Sequence, residues 1–136
     1  MTKPTSEADF EYVLETMKQA SFVAMARTKP TPMIVGHPST PLGNDVDPNQ
    51  ETWYVASGVC GFASVTIPNR GNFAKWLKAK NLASTYGDTG LTIHGWAREG
   101  YADGGQSYEY NTAIASAIAK VLQHFGFKAS VWSRVD

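Results

Sequence analysis

Residues Trp53 to Ile67 read WYVASGVCGFASVTI, and the way this stretch folds sets the topology of everything after it. It lies inside an 18-residue run without a charged side chain, Thr52 to Asn69. That length touches the ~18-residue threshold of a membrane helix. Eight of the 18 are Thr, Ser, Gly, Pro or Asn, however, and the rest are mainly Val, Ile and aromatic. A buried strand fits that composition better than a helix in lipid. As one strand it would bend at Gly58 or Gly61, where a bulge costs least. A hairpin turning at Ser57-Gly58 is the competing reading.

Downstream, Pro68-Asn69-Arg70-Gly71-Asn72 closes the strand and opens a helix. Phe73, Trp76 and Leu77 make its apolar face, with Lys75, Lys78 and Lys80 toward water. Leu91 to Ala97 reads as a strand and Gly100 to Gly105 as a glycine-rich loop. The spacing of Ile114, Ile118, Val121, Leu122 and Phe125 predicts a helix over about residues 106–125. Alanines at 113, 115, 117 and 119 thin it so that another layer can approach closely. Gly126 stops it where left-handed backbone favours glycine. Phe127 to Val135 is the final strand.

Upstream, Gly36 to Glu51 carries three prolines and reads as a surface loop, longer than the usual ~4–6 residues. Met33-Ile34-Val35 forms a short strand, and Pro30 and Pro32 separate it from another at Ser21 to Arg27. Before that, Ser6 with Asp9 three residues on is a capping box. Phe10, Val13, Leu14 and Met17 follow at helical spacing, giving a helix at about 7–19.

The order α-β-(β)-β-α-β-α-β places the chain in the α/β or α+β class: a single-layer mixed sheet of four to five strands packed by three helices. The last five elements are most simply two right-handed crossovers with parallel strands. At 136 residues the chain is about one domain, long enough for a real core without disulfides or metal.

Twelve Lys plus Arg balance twelve Asp plus Glu, which argues against a bulk electrostatic binder of nucleic acid or membrane. With 43% apolar and 18% charged residues it is not a disordered tail. A single cysteine excludes an internal disulfide and fits a reducing compartment. The N-terminal residues show no secretory signal.

Most local motifs fail. Gly58-Val59-Cys60-Gly61-Phe62 departs from a nucleophile elbow at Phe62 and lies mid-strand, so Cys60 reads as a core residue. His37, His94 and His124 show no metal-ligand spacing, so no metal or other cofactor is expected. His124 suits the C-terminal end of a helix dipole. Asp45-Val46-Asp47 opens like a calcium loop but has Gln50 at the required glycine and Ala56 at the required glutamate. Gly100 to Gly105 lacks the lysine of a phosphate loop.

The arginines carry more. There are four, Arg27, Arg70, Arg98 and Arg134, and each follows or ends an expected strand, whereas five of the eight lysines lie on helices. With parallel crossovers, Arg70, Arg98 and Arg134 share the carboxyl edge of the sheet, where ligands of open α/β sheets bind. Gln106 and Ser107 open the third long helix there, with backbone N–H groups suited to an anion. Trp96, Tyr101 and Tyr108 flank the same loop and could stack on a base. A solvated rim pairing the arginines with Glu99, Asp103, Glu109 and Asp136 is the plainer alternative.

Gly58-Val59-Cys60-Gly61-Phe62-Ala63-Ser64-Val65, Phe73-Ala74-Lys75-Trp76-Leu77-Lys78 and the closing Ser133-Arg134-Val135-Asp136 resemble small uncharacterised proteins of tailed bacteriophages, over roughly residues 53–136. The resemblance implies expression in an infected bacterial cytoplasm, where small phage proteins block host factors or sequester host signalling nucleotides. The leading expectation is therefore a non-enzymatic accessory protein that binds a small anionic, nucleotide-like ligand, acting as a homo-oligomer. The alternative is an interaction module that inhibits a host protein through the 36–51 loop and exposed aromatics. A small hydrolase using His94 and Cys60 is the third reading.

Overall fold

In the computed structural model the described residues are 3–30, 33–36, 52–55, 58–93, 105 and 107–135. The elements run α1 (Glu7–Arg27), β1 (Met33–Gly36), β2 (Thr52–Val55), β3 (Gly61–Pro68), α2 (Gly71–Ala79), β4 (Ala83–Tyr86), β5 (Gly90–Ile93), α3 (Tyr108–His124) and β6 (Ser130–Val135). The class is α+β: three helices and a four-stranded antiparallel sheet in the order β4-β5-β3-β6, with β1 and β2 forming a separate antiparallel pair.

The expected helices form for the expected reasons. In α1 the Ser6 hydroxyl accepts from the Asp9 N–H at 3.2 Å, and the Asp9 carboxylate accepts from the Thr5 and Ser6 N–H groups at 3.2 and 3.3 Å. Those backbone bonds to Thr5 and Ser6 hold the Asp9 carboxyl below its ordinary pKa. Its contribution to stability is present above the ordinary carboxylate range and is lost as pH falls through the lowered value. Asp9→Asn should therefore flatten the loss of stability below about pH 4 in urea titrations across acid pH. A curve as steep as that of the unaltered protein would show that Asp9 does not contribute.

Helix α1 runs past the expected end at 19. The Ser21–Arg27 segment is helix, not strand, because its inward positions continue the stripe: Phe10, Val13, Met17 and Ser21 are all buried, and Met25 packs against the core. The Ser21 hydroxyl donates to the Lys18 carbonyl at 2.6 Å, which hides its polarity within the helix. Phe22 and Val23 suggest a strand by propensity, but they lie on the exposed side.

Helix α1 packs on α3 and meets α2 near its own start, where Phe10 contacts Phe73 and Trp76 at ring separations of 5.3 and 5.8 Å. Helix α3 lies on β3 and β6, burying Ile114, Ala115, Ile118, Ala119 and Leu122. Of the four alanines, Ala115 and Ala119 are thus used inside the molecule, while Ala113 and Ala117 line a groove beside α1. Gly126 ends that helix region at φ +93°. The sheet gives Val65, Ile67, Leu91, Ile93 and Ala83 to the core.

Three strand expectations are corrected. Residues 53–67 are neither one strand nor a hairpin: β2 pairs with β1, whereas β3 belongs to the four-stranded sheet. Gly58, at φ +77°, lies between them, a conformation that L side chains resist. The expected Leu91–Ala97 strand is found as β5 from Gly90 to Ile93, its remaining residues lying outside the described ones, and it is the second arm of a hairpin whose first strand, β4, was not expected. The crossovers are not parallel, since β3 pairs antiparallel with both β5 and β6. An extra strand in the 69–90 connection reverses the direction of arrival at β5. The expected 36–51 loop lies outside the described residues beyond Gly36.

Candidate functional site

The antiparallel ladder separates the arginines that sequence placed together. Arg134 pairs with Phe62 near the start of β3, whereas Arg70 follows its end at Pro68. The strand from 62 to 68 is roughly 20 Å long at about 3.3 Å per residue. Within one chain, Arg70 and Arg134 do not clasp one phosphate. The two helix starts are separated in the same way. Helix α2 begins beside Arg70, and α3 begins beside Val59 and Gly61.

Helix α3 does not open as an anion site at its described start. The Tyr108 N–H donates to the Val59 carbonyl at 2.9 Å, and the Asn111 N–H to the Ser107 carbonyl at 2.9 Å. The Ser107 hydroxyl accepts from Tyr110, and Ser107 itself is buried. Tyr108 is a strut, not a stacking platform: its ring lies over Gly61 and its hydroxyl meets Ser133 at 3.3 Å. Arg98, Trp96, Tyr101, Gln106 and His94 lie outside the described residues. Cys60 is half-buried rather than a core residue, bridged to Ser107 through the backbone. Among the described residues no group of three or more His, Cys, Asp or Glu side chains could hold a metal.

What the fold does assemble is on the face of the sheet away from the helices. Alternation along each strand sends Val65, Ile67, Leu91 and Ile93 inward, so their neighbours face outward. Register then places Ser84 opposite Thr92, Thr92 opposite Thr66, and Thr66 opposite Ser130. Four hydroxyl side chains thus cross four strands in one row. Thr66 and Ser130 hydroxyls bond each other at 2.8 Å. Tyr86 rises at the β4 end of this row and Trp132 at the β6 end, both exposed. Tyr86 lies over Gly90, where a Cβ would meet the Tyr86 carbonyl at 2.7 Å and its ring at 3.3 Å. The groove between the two aromatics measures about 450 Å³, with Ser64, Thr66, Thr92 and Ser130 in its floor.

This groove continues into a larger one of about 820 Å³, which shares Thr66, Tyr86 and Ser130 and ends at Arg70 and Lys128. Lys3 joins the same two cations around a small adjoining cavity, its ammonium 5.1 Å from the Phe127 ring centre. Among the described residues Asp88 is the one carboxylate lining the larger groove. Three cations from three separate parts of the chain therefore gather at one end of an aromatic-walled, hydroxyl-floored channel. Of the predicted residues that are described, only Arg70 belongs to it. Lys3, Lys128, Tyr86 and Trp132 were missed because no local motif links them.

No family model, curated protein or solved structure matches the chain. Among the described residues no helix is long and apolar enough to cross a membrane.

Proposed function

We propose that the protein is a non-enzymatic binding module for a small anionic ligand of nucleotide type, held in the outer-face channel. The observation that carries this reading is the continuity of the channel from the Arg70–Lys128 end to the Tyr86 and Trp132 rings. Arginine and lysine attract phosphate oxygens, and Arg70 can engage two at once. Aromatic faces stack on a base, and a row of hydroxyls can both donate to and accept from a sugar or base edge. Neutral overall charge is compatible with this, because a local cluster suffices for one small anion. In an infected bacterium, the setting implied by the resemblance to phage proteins, such a module would sequester a host nucleotide.

Thermal shift with mono- and dinucleotides, a nucleoside and inorganic phosphate tests the proposal, because a ligand that binds only the folded state raises Tm. A nucleotide should shift Tm more than either the nucleoside or phosphate alone. Arg70→Ala with Lys128→Ala should weaken binding about tenfold or more, as expected for losing two charge-assisted contacts. Lys75→Ala, on the solvent face of α2, should leave binding unchanged. No shift with any nucleotide at millimolar concentration, or full binding after Tyr86→Ala with Trp132→Ala, would overturn the reading. Steady consumption of the nucleotide would overturn its non-enzymatic part.

A further inference from the structure

We propose that β6 is the seam of a homodimer, pairing antiparallel with β6 of a second copy about a two-fold axis at Ser133. One side of β6 is bonded to β3, and no other described strand pairs with its second side. All six of its residues are exposed, including Val131, Trp132 and Val135. Edge strands are ordinarily protected by charged side chains, above all lysine, by proline, by a bulge or by shortness. β6 has neither proline nor lysine, its one described charge is Arg134, and its ladder is regular from Gly61–Val135 to Thr66–Ser130. The opposite edge, β4, is four residues long.

The sequence of β6 is self-complementary in one register. In a continuous sheet, residues directly opposite one another share a face, so the axis must pass through a residue. Through Ser133, Val131 meets Val135 twice on the helix-side face, and Trp132 meets Arg134 twice on the outer face. Those are an apolar pair and a cation–π pair, each favourable across strands. Through Trp132, Val131 would face Ser133 and Ser130 would face Arg134, losing both. Through Arg134, two like charges would oppose each other. Of these three registers, only the one through Ser133 keeps both pairs.

The resulting eight-stranded sheet has both channels on one face. It also sets Arg134 of the partner subunit beside Trp132, at the wall of the ligand channel. This last point rests on the proposed binding function; the strand pairing does not.

Sedimentation velocity across micromolar concentrations reads the assembly directly. The unaltered chain should be a dimer. Val131→Lys with Val135→Lys places lysine opposite lysine twice and should weaken dimerisation roughly tenfold or more. Val131→Lys with Val135→Glu places opposite charges there and should restore the dimer. Both sites are exposed, so circular dichroism and Tm should change little. A monomer for the unaltered chain, or dimers of equal strength for the lysine–lysine and lysine–glutamate variants, would overturn the seam. Dimerisation lost with nucleotide binding intact would leave the channel reading standing, whereas an intact dimer without nucleotide binding would remove only that reading.

Discussion

Gly61→Ala should destabilise the protein by about 1–3 kcal/mol, and Gly61→Val by more, because the position is closed to any side chain. A Cβ there would lie 2.6 Å from the Arg134 carbonyl oxygen, 2.6 Å from Tyr108 Cδ2 and 2.8 Å from Tyr108 Cβ. The tyrosine alone could swing aside, but the carbonyl belongs to the neighbouring strand. Moving it opens the β3–β6 ladder at its Gly61–Val135 end. Stability totals of about 5–15 kcal/mol make this a large fraction. Urea unfolding should show a lowered midpoint with an unchanged slope, and Tm should fall by roughly 3–15 °C. Ser64→Ala, on the outer face of the same strand, should change Tm by no more than a degree or two. Equal stability of Gly61→Ala and the unaltered chain would mean that β6 is not held against β3 here.

Asn111→Ala should cost about 1–3 kcal/mol, through polar satisfaction instead of crowding. Asn111 is 3% exposed, and its amide nitrogen donates to the Gly61 carbonyl at 2.9 Å and the Gly105 carbonyl at 3.0 Å. It therefore pins the first turn of α3 to the start of β3 and to the turn before the helix. Deleting the amide removes the donor that it gives to the buried Gly61 carbonyl, and a buried acceptor that loses a donor bears part of its desolvation cost. Asn111→Asp should be at least as damaging near neutrality, where a charged acceptor would face two carbonyl acceptors. Its damage should shrink as pH falls, since a protonated carboxyl regains one donor. Parallel denaturation curves at pH 7 and at acid pH distinguish these outcomes. Loss of equal size for Asp at both pH values would show that the amide donor is not what matters.

Both residues show how far local pattern carries. The helices were legible because their information is local. Ser6 and Asp9 cap α1, the 114-118-122 spacing buries one face of α3, and Gly126 ends it. The over-short α1 came from judging Phe22 and Val23 by strand propensity, although Ser21 and Met25 continued the helical stripe. Strand is found within each of the expected segments 33–35, 53–67, 91–97 and 127–135, whereas the one expected at 21–27 is helix and β4 was not expected. Pairing was not legible. Asn111 was not singled out, and nothing near it in sequence shows that Gly61, fifty residues away, takes its amide.

The candidate site shows the same division. Arg70 was singled out for lying past the end of a strand, and it does line the channel. Arg134 was grouped with it on the assumption of parallel strands, and the antiparallel ladder sends it to the far end. Ser107 was read as a ligand group because it opens a helix and Tyr108 because it flanks the glycine-rich loop, yet they join α3 to the strand segment at 59–60 and to β6. Lys3, Lys128, Tyr86 and Trp132 meet only once the sheet exists.

Sequence alone settles that three helices pack on a sheet, the Ser6–Asp9 start of α1, the Gly126 end of α3 and the faces the helices bury. These follow from periods of 3.6 and 2 and from side chains within four residues of one another. The direction of each strand in the ladder, and hence the row of hydroxyls, the cationic end and the exposed β6 edge, was decided only by the tertiary structure. A strand has the same alternation whichever way it runs, so its partner and direction come from long-range burial and the path of the connections.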